Sequence, residues 1–183
     1  MRGSAVSRGG STRIRLASDD DVDAIAKVQV DTWRSTYRGI VPDRVLDELA
    51  YDERARSWAR ILSRDDGAFA FVAEDSAGVI AFASGGPNGD GYGSFAGKLH
   101  AVYVLSSYQG SGQGRALVGH VARRLMSASI QSMLVWVFTQ NPACRFYERM
   151  GGKPCGEKTI SLGGKDLGAV AYGWNDVRVL GCC

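Results

Sequence analysis

This chain of 183 residues is poor in the side chains that hold metals, with two histidines and four cysteines and no spacing among them that matches a zinc site. The cysteines are Cys144, Cys155, Cys182 and Cys183, and free thiols in a reducing cytosol are the expectation for them. The closing pair is not a prenylation box, which needs its cysteine fourth from the end. No apolar run approaches the ~20 residues of a membrane-spanning helix. Residues 1–11 are small, polar and basic and lack the apolar stretch of a secretory signal. Charge of neither sign dominates: 22 Lys and Arg against 19 Asp and Glu leave a net charge of +3, too mild for a nucleic-acid partner. The Arg123–Arg124 pair reads as a solvated helix face. These absences leave one globular domain over residues 12–178 behind a mobile segment 1–11, with a cytoplasmic location and neither a membrane nor a nucleic-acid partner expected.

Glycine, by contrast, is abundant at 24 residues. Its most informative use follows the apolar run Leu99-His100-Ala101-Val102-Tyr103-Val104, which reads as a buried strand. After it comes Gln109-Gly110-Ser111-Gly112-Gln113-Gly114-Arg115, and then Leu117, Val118, Val121, Ala122 and Leu125 recur at helical spacing. Strand, glycine loop and helix aim backbone N–H groups at an anion, because glycine reaches positive φ and the helix start adds its orphan donors. The P-loop pattern is missing, and a dinucleotide fingerprint fails because its third glycine comes one residue early. A second strand and helix follow at Met133-Leu134-Val135-Trp136-Val137-Phe138 and at 142–150, with Asn141 suited to the N-cap, Pro142 to the first turn and Gly151 to the C-cap. The remaining pattern is a strand at 12–16, helices from Ser18 toward Tyr37, from Pro42 through Leu49 and over 52–62, strands at 68–74 and 79–84, a glycine-dense loop 85–97, and a closing hairpin of 158–162 with 167–174.

Gln109, Gly112 and Gly114 meet the pattern [RQ]-x-x-G-x-[GA]. Asn141, Phe146, Tyr147 and Gly151 meet N-x-x-A-x-x-F-Y-x-x-x-G, with Ala143 as an offset small residue. In this order, the two segments resemble the GCN5-related N-acetyltransferase (GNAT) superfamily. The resemblance implies an α/β fold with a mixed, mostly antiparallel sheet, splayed between its fourth and fifth strands and covered by helices on both faces. It implies acetyl-CoA as co-substrate and transfer of an acetyl group to a primary amine by direct attack in a ternary complex, the acceptor being a small-molecule or peptide amine. By the same resemblance Gln109, Gly110, Ser111, Gly112, Gln113, Gly114 and Arg115 hold the pyrophosphate. Val102, Tyr103 and Val104 run beside the pantetheine arm, whose channel Asn141 and Tyr147 line. The Val104 N–H is the donor to the carbonyl oxygen, and Tyr147 is the acid that protonates the departing thiolate. A phenol, at about 10 against about 8.5 for a thiol, is a donor of neighbouring acidity.

One position departs from the family. Many relatives carry an acidic residue at the start of the fourth strand, where this chain has Lys98. His100 is then the candidate base, with Glu74 or a water relay behind it. His100 shares a face with Val102 and Val104 by alternation unless a bulge intervenes. Trp33 and Tyr37 sit one helical turn apart within a W-x-x-x-Y-x-G-[IL]-x-P run similar to one in a branch of the superfamily, and are candidates for the acceptor wall. Cys144 reads as packing. The Lys98 departure keeps a second reading open, a non-catalytic acyl-CoA-binding or regulatory domain. The closing hairpin offers an edge through which a homodimer could pair.

Overall fold

The computed structural model describes residues 11–181, so the expectations for residues 1–10 and for Cys182 and Cys183 lie outside the described residues. The chain runs β1 (Arg13–Leu16), α1 (Val22–Thr36), α2 (Asp43–Asp47), α3 (Tyr51–Leu62), β2 (Phe69–Asp75), β3 (Gly78–Pro87), β4 (Gly97–Val104), α4 (Gln113–Ser127), β5 (Met133–Phe138), α5 (Ala143–Arg149), β6 (Lys153–Leu162), β7 (Lys165–Trp174) and α6 (Arg178–Gly181). The strands form one sheet in the order β1-β2-β3-β4-β5-β7-β6. Every neighbouring pair is antiparallel except β4 with β5. The mixed α/β sheet expected from the sequence is what forms. Among the described residues, no helix is long and apolar enough to cross a membrane.

Each face of the sheet is buried by helices whose apolar residues recur at helical spacing. On one face α4 sets Leu117, Val118, Val121, Ala122 and Leu125 against Ala81, Ala83, Leu99, Met133 and Val135. On the other, α1 and α3 set Ile25, Val28 and Trp58 against Ala70, Val72 and Phe82. Phe82 is fully buried and meets the Trp58 ring edge-on at 5.1 Å. A third, smaller cluster joins Tyr37, Val41 and Leu46 to Leu167 near the tip of the β6–β7 hairpin. That tip is the two-residue turn Gly163-Gly164, with φ of 58° and 78°, a left-handed pair that only glycine adopts easily. Arg44 and Lys165 lock it to the first helices, the one donating to the Gly163 carbonyl and the other to the Ile40 carbonyl, both at 2.8 Å.

Two expectations are corrected. The glycine-dense stretch is not wholly loop: β3 continues through Gly85 and Gly86 to Pro87, and β4 opens at Gly97. A Cβ on Gly85 would come within 2.7 Å of Val121, so this glycine lets α4 lie directly on the strand. The closing hairpin is likewise longer than 158–162 and 167–174, because β6 begins at Lys153 and β7 at Lys165. β6 is one of the sheet's two edge strands, β1 being the other.

At the opposite end, Arg15 bridges two carboxylates, Asp21 at 2.7 and 2.8 Å and Glu74 at 2.8 and 3.1 Å. The Asp21 carboxylate also accepts from the Ser18 N–H at 2.8 Å, fixing the start of the first helical stretch. The Arg15 guanidinium holds Asp21 below the usual carboxylate range. A depressed folded-state pKa contributes stability above the unfolded value and loses it as pH falls through the folded one. Asp21→Asn should therefore cost about 1–2 kcal/mol at pH 7. The gap to wild type should close as pH drops below about 4, as read by chemical denaturation at stepped pH.

Candidate active site

The site begins where β4 and β5 part. They pair only at Gly97–Met133 and Lys98–Leu134, and beyond these residues the strands diverge. This is the splay expected between the fourth and fifth strands. The Leu105 N–H donates to the Ile80 carbonyl on the β3 side. Backbone groups alternate along a strand, so the Val104 and Val102 N–H groups point away from β3, toward β5 and into the gap. The Val104 carbonyl on that side accepts from the Gln109 side chain at 3.0 Å.

The gap is the throat of a cleft of about 750 Å³, within the range of small-molecule sites. It opens toward both faces of the sheet. On the α4 side its lining includes Gln109, Gly110, Gly112, Gln113, Gly114 and Arg115. Gly110 and Gly112 have φ of 78° and 89°, and a Cβ on either would meet nothing within 4 Å. Backbone conformation, not crowding, requires glycine there. Gly112 stands at the N-cap of the 15-residue α4, whose first N–H groups have no helical carbonyl to bond. Gly114 packs against Phe146, its would-be Cβ 3.4 Å from the ring. Ser111 departs from the expectation: it is outside the cleft lining, and its hydroxyl donates to the Tyr108 carbonyl.

Tyr147 reaches the cleft from α5 at 5% exposure, packed beside Phe146, Tyr172 and Trp174. Burial is the main cause that pushes its phenol well above the ordinary value, so it keeps its proton throughout the working pH range. Asn141, also buried, lines the cleft and does two structural jobs. Its side-chain oxygen accepts from the Ala143 N–H at 2.9 Å, and its amide donates to the Tyr37 hydroxyl at 3.0 Å. The helix itself starts at Ala143, one residue later than the sequence suggests.

Polar side chains continue across the cleft floor. Beside Tyr37, the Tyr103 hydroxyl accepts from the Trp33 indole at 2.9 Å. Tyr37 and Tyr103 line the cleft, but Trp33 does not: it stacks on Tyr37 at 4.8 Å and supports Tyr103 from behind. The expected wall of Trp33 and Tyr37 is thus one wall residue and one buttress.

His100 is exposed on the cleft wall. Leu99 pairs with Gly85 and Ala101 with Ser84, so His100 is the extra residue of a β-bulge. The bulge breaks the expected alternation, and Leu99 joins Val102 and Val104 in the α4-side cluster. Poor solvation in the cleft, then the charge of Lys98, lower the imidazole below its ordinary value, so it is largely neutral at pH 7. Lys98 is ion-paired with Asp90. Glu74 is excluded as a base, because Arg15 holds it at the β1 edge outside the cleft. Cys144 is half-buried against the main core, as its packing reading requires.

Sequence reasoning passed over Thr32, Ser35, Thr36, Trp136, Phe146 and Arg149, all of which line the cleft. Thr32, Thr36 and Ser35 carried a faint signal as small polar residues around the Trp33–Tyr37 pair on the last turns of α1.

Replacing Asn141 by Ala removes both the α5 cap and the Tyr37 partner. We expect a loss of about 2 kcal/mol, measured by urea denaturation. A Tyr37→Phe background should reduce that loss, because the two side chains share one hydrogen bond.

A model of the acetyltransferase (GNAT) family matches residues 28–152. YuaI of Bacillus subtilis (strain 168), described as an uncharacterized N-acetyltransferase, is 38% identical over 169 residues, covering 91% of this chain and 95% of its own. Among solved structures, the PaiA N-acetyltransferase of Thermoplasma acidophilum in complex with coenzyme A superposes with a TM-score of 0.68 at 17% identity, covering 90% of this chain and 99% of that one. The ribosomal-protein-alanine N-acetyltransferase of Brucella melitensis superposes with a TM-score of 0.70 at 22% identity, covering 88% and 98%. At such identities these structures speak for the fold, while the family match and the Bacillus relative speak for descent. With sheet, splay and glycine loop in place, this chain belongs to the GNAT acetyltransferase family.

Proposed function

We propose that the protein is an acetyl-CoA-dependent N-acetyltransferase that transfers the acetyl group to a primary amine by direct attack within a ternary complex. The observation that carries this reading is the α4 N-terminus. Its left-handed Gly112 cap starts a helix whose first-turn N–H groups have no helical carbonyl to bond, at the same cleft that Val104 and Tyr147 line. A helix start with open backbone donors suits a pyrophosphate, and the unpaired edge of β4 suits the amide-bearing pantetheine arm. The coenzyme A bound to the Thermoplasma relative supports this.

Acetyl-CoA supplies the activated carbonyl and a thiol leaving group. As the amine nitrogen bonds to that carbon, negative charge grows on the carbonyl oxygen, and the Val104 N–H is the donor set toward it. The new C–N bond makes the nitrogen acidic. Its proton passes to neutral His100, directly or through water, in place of the carboxylate that Lys98 displaces from this family position. When the C–S bond breaks, Tyr147 gives its proton to the sulfur. In water a phenol is the weaker acid, so transfer to a free thiolate runs uphill. Burial raises the phenol further, so the proton crosses only as charge builds on the departing sulfur, whose own poor solvation raises its demand for one. Tyr147 recovers its proton from solvent after product leaves.

Three measurements test the proposal. Gly112→Glu places bulk and charge at the helix start and forces a left-handed side chain, so acetyl-CoA affinity by calorimetry should fall at least about a hundredfold. Tyr147→Phe should lower kcat by about 10²–10³ and leave the acetyl-CoA Kd nearly unchanged. The pH profile of kcat/KM should show an acidic limb below the ordinary histidine value, and His100→Gln should remove that limb. Tight acetyl-CoA binding with no thiol release toward any amine would instead favour a non-catalytic acyl-CoA-binding domain.

A further inference from the structure

We infer that the acceptor is a monoamine, a primary amine whose body carries no second positive charge, and that the Thr32 hydroxyl is the group that orients it. This rests on the acetyltransferase reading above. The cleft has two mouths. The α4 mouth is shaped for an anion, which leaves the α1 mouth for the amine. There the lining comes from Thr32, Ser35, Thr36 and Tyr37 on the last turns of α1 and just beyond, facing His100 and Trp136.

Thr32 stands out chemically. It is 5% exposed, and its side-chain oxygen has no hydrogen-bond partner. A threonine inside a helix ordinarily returns its hydroxyl to a carbonyl of the preceding turn. Buried hydroxyls are nearly always bonded. The residue lines the cleft, so rotation of its side chain about the Cα–Cβ bond offers this unmatched hydroxyl to a ligand as donor or acceptor. Thr32 stands next to Trp33 on the helix that leads into Tyr37, so the Trp33–Tyr103 and Asn141–Tyr37 hydrogen bonds fix its surroundings.

The charge pattern sets the rest of the acceptor. Among the described residues that line the cleft, none is Asp or Glu, and the charged ones are Arg115 and Arg149. Asp90, which feels His100, Lys98 and Lys158, is already paired with Lys98. Lys158 lies over the Trp136 ring at 4.1 Å and adds positive charge beside the wall. A second ammonium on the acceptor would shed water here without gaining a carboxylate, an unfavourable exchange. A hydroxyl, amide or carboxylate near the amine meets Thr32 and the lysine-bordered wall without that loss.

The test uses the full chain with acetyl-CoA in a thiol-release assay, offering an aliphatic amino alcohol, the amino acid of equal chain length and the corresponding diamine. The amino alcohol or the amino acid should exceed the diamine in kcat/KM by about tenfold or more, the scale of one unmatched buried charge or hydrogen bond. Thr32→Val should raise the KM for the better acceptor by about tenfold while kcat moves far less and acetyl-CoA affinity by calorimetry holds, and Thr32→Ser should restore KM. The inference is overturned if the diamine is the best of the three, if Thr32→Val leaves KM unchanged, or if a protein that binds acetyl-CoA turns over none of them. Failure of the wild type to bind acetyl-CoA would instead overturn the acetyltransferase reading itself.

Discussion

Everything at this site depends on two strands that stop pairing. β4 and β5 share a ladder for two residue pairs and then separate, though both continue as strands. They can do so because each keeps its outer partner, β3 on one side and β7 on the other. Neither strand therefore loses its place in the sheet. What they forfeit is the hydrogen bonding of their inner edges, and buried backbone groups left unbonded are costly. The protein satisfies one of them itself, through Gln109 on the Val104 carbonyl. The remaining polar groups of that edge face the cleft.

The opening must also be kept at one width. A pair of hydrogen bonds braces it between α1 and the start of α5, from Trp33 to Tyr103 and from Asn141 to Tyr37. The second bond joins residues 104 positions apart in sequence. Aromatic rings pack around it, Trp33 on Tyr37 and Tyr37 edge-on to Phe138 at 5.8 Å. The β6–β7 turn clamps the outer end against α2 through Arg44 and the Ile40 carbonyl. Hydrogen-bonded rings lose little rotamer freedom when ordered, so they suit a wall whose position matters.

Much of this was legible in the order of residues. Strand, glycine loop and helix could be read in their order, because φ > 0 at Gly110 and Gly112 is a local demand that leaves a local trace. Asn141 and Tyr147 were legible through their segment. His100 was only half legible: its place on β4 could be read, but its face depended on a bulge set by the pairing of Gly85 and Ser84, far away in sequence. Gly85 itself looked like loop because its purpose, the approach of Val121, is a tertiary contact. Trp33 and Tyr37 were recognised as a pair, yet which of them meets the cleft depends on Tyr103, 70 residues on from Trp33. Thr32 left almost no trace, since a threonine on a helix says nothing about a missing partner.

Helix α1 divides its labour along its length. Ile25, Ala26, Val28 and Val30 are essentially inaccessible and anchor the sheet, whereas Ser35 and Thr36 at the far end meet the cleft and little of the core. Mutational drift in the last turn can thus sample new ligand preferences at low risk to folding, while the first turns stay under the constraint of packing. A scaffold arranged this way can diversify its chemistry across lineages by altering a few small polar residues at one helix end, and keep the same architecture throughout.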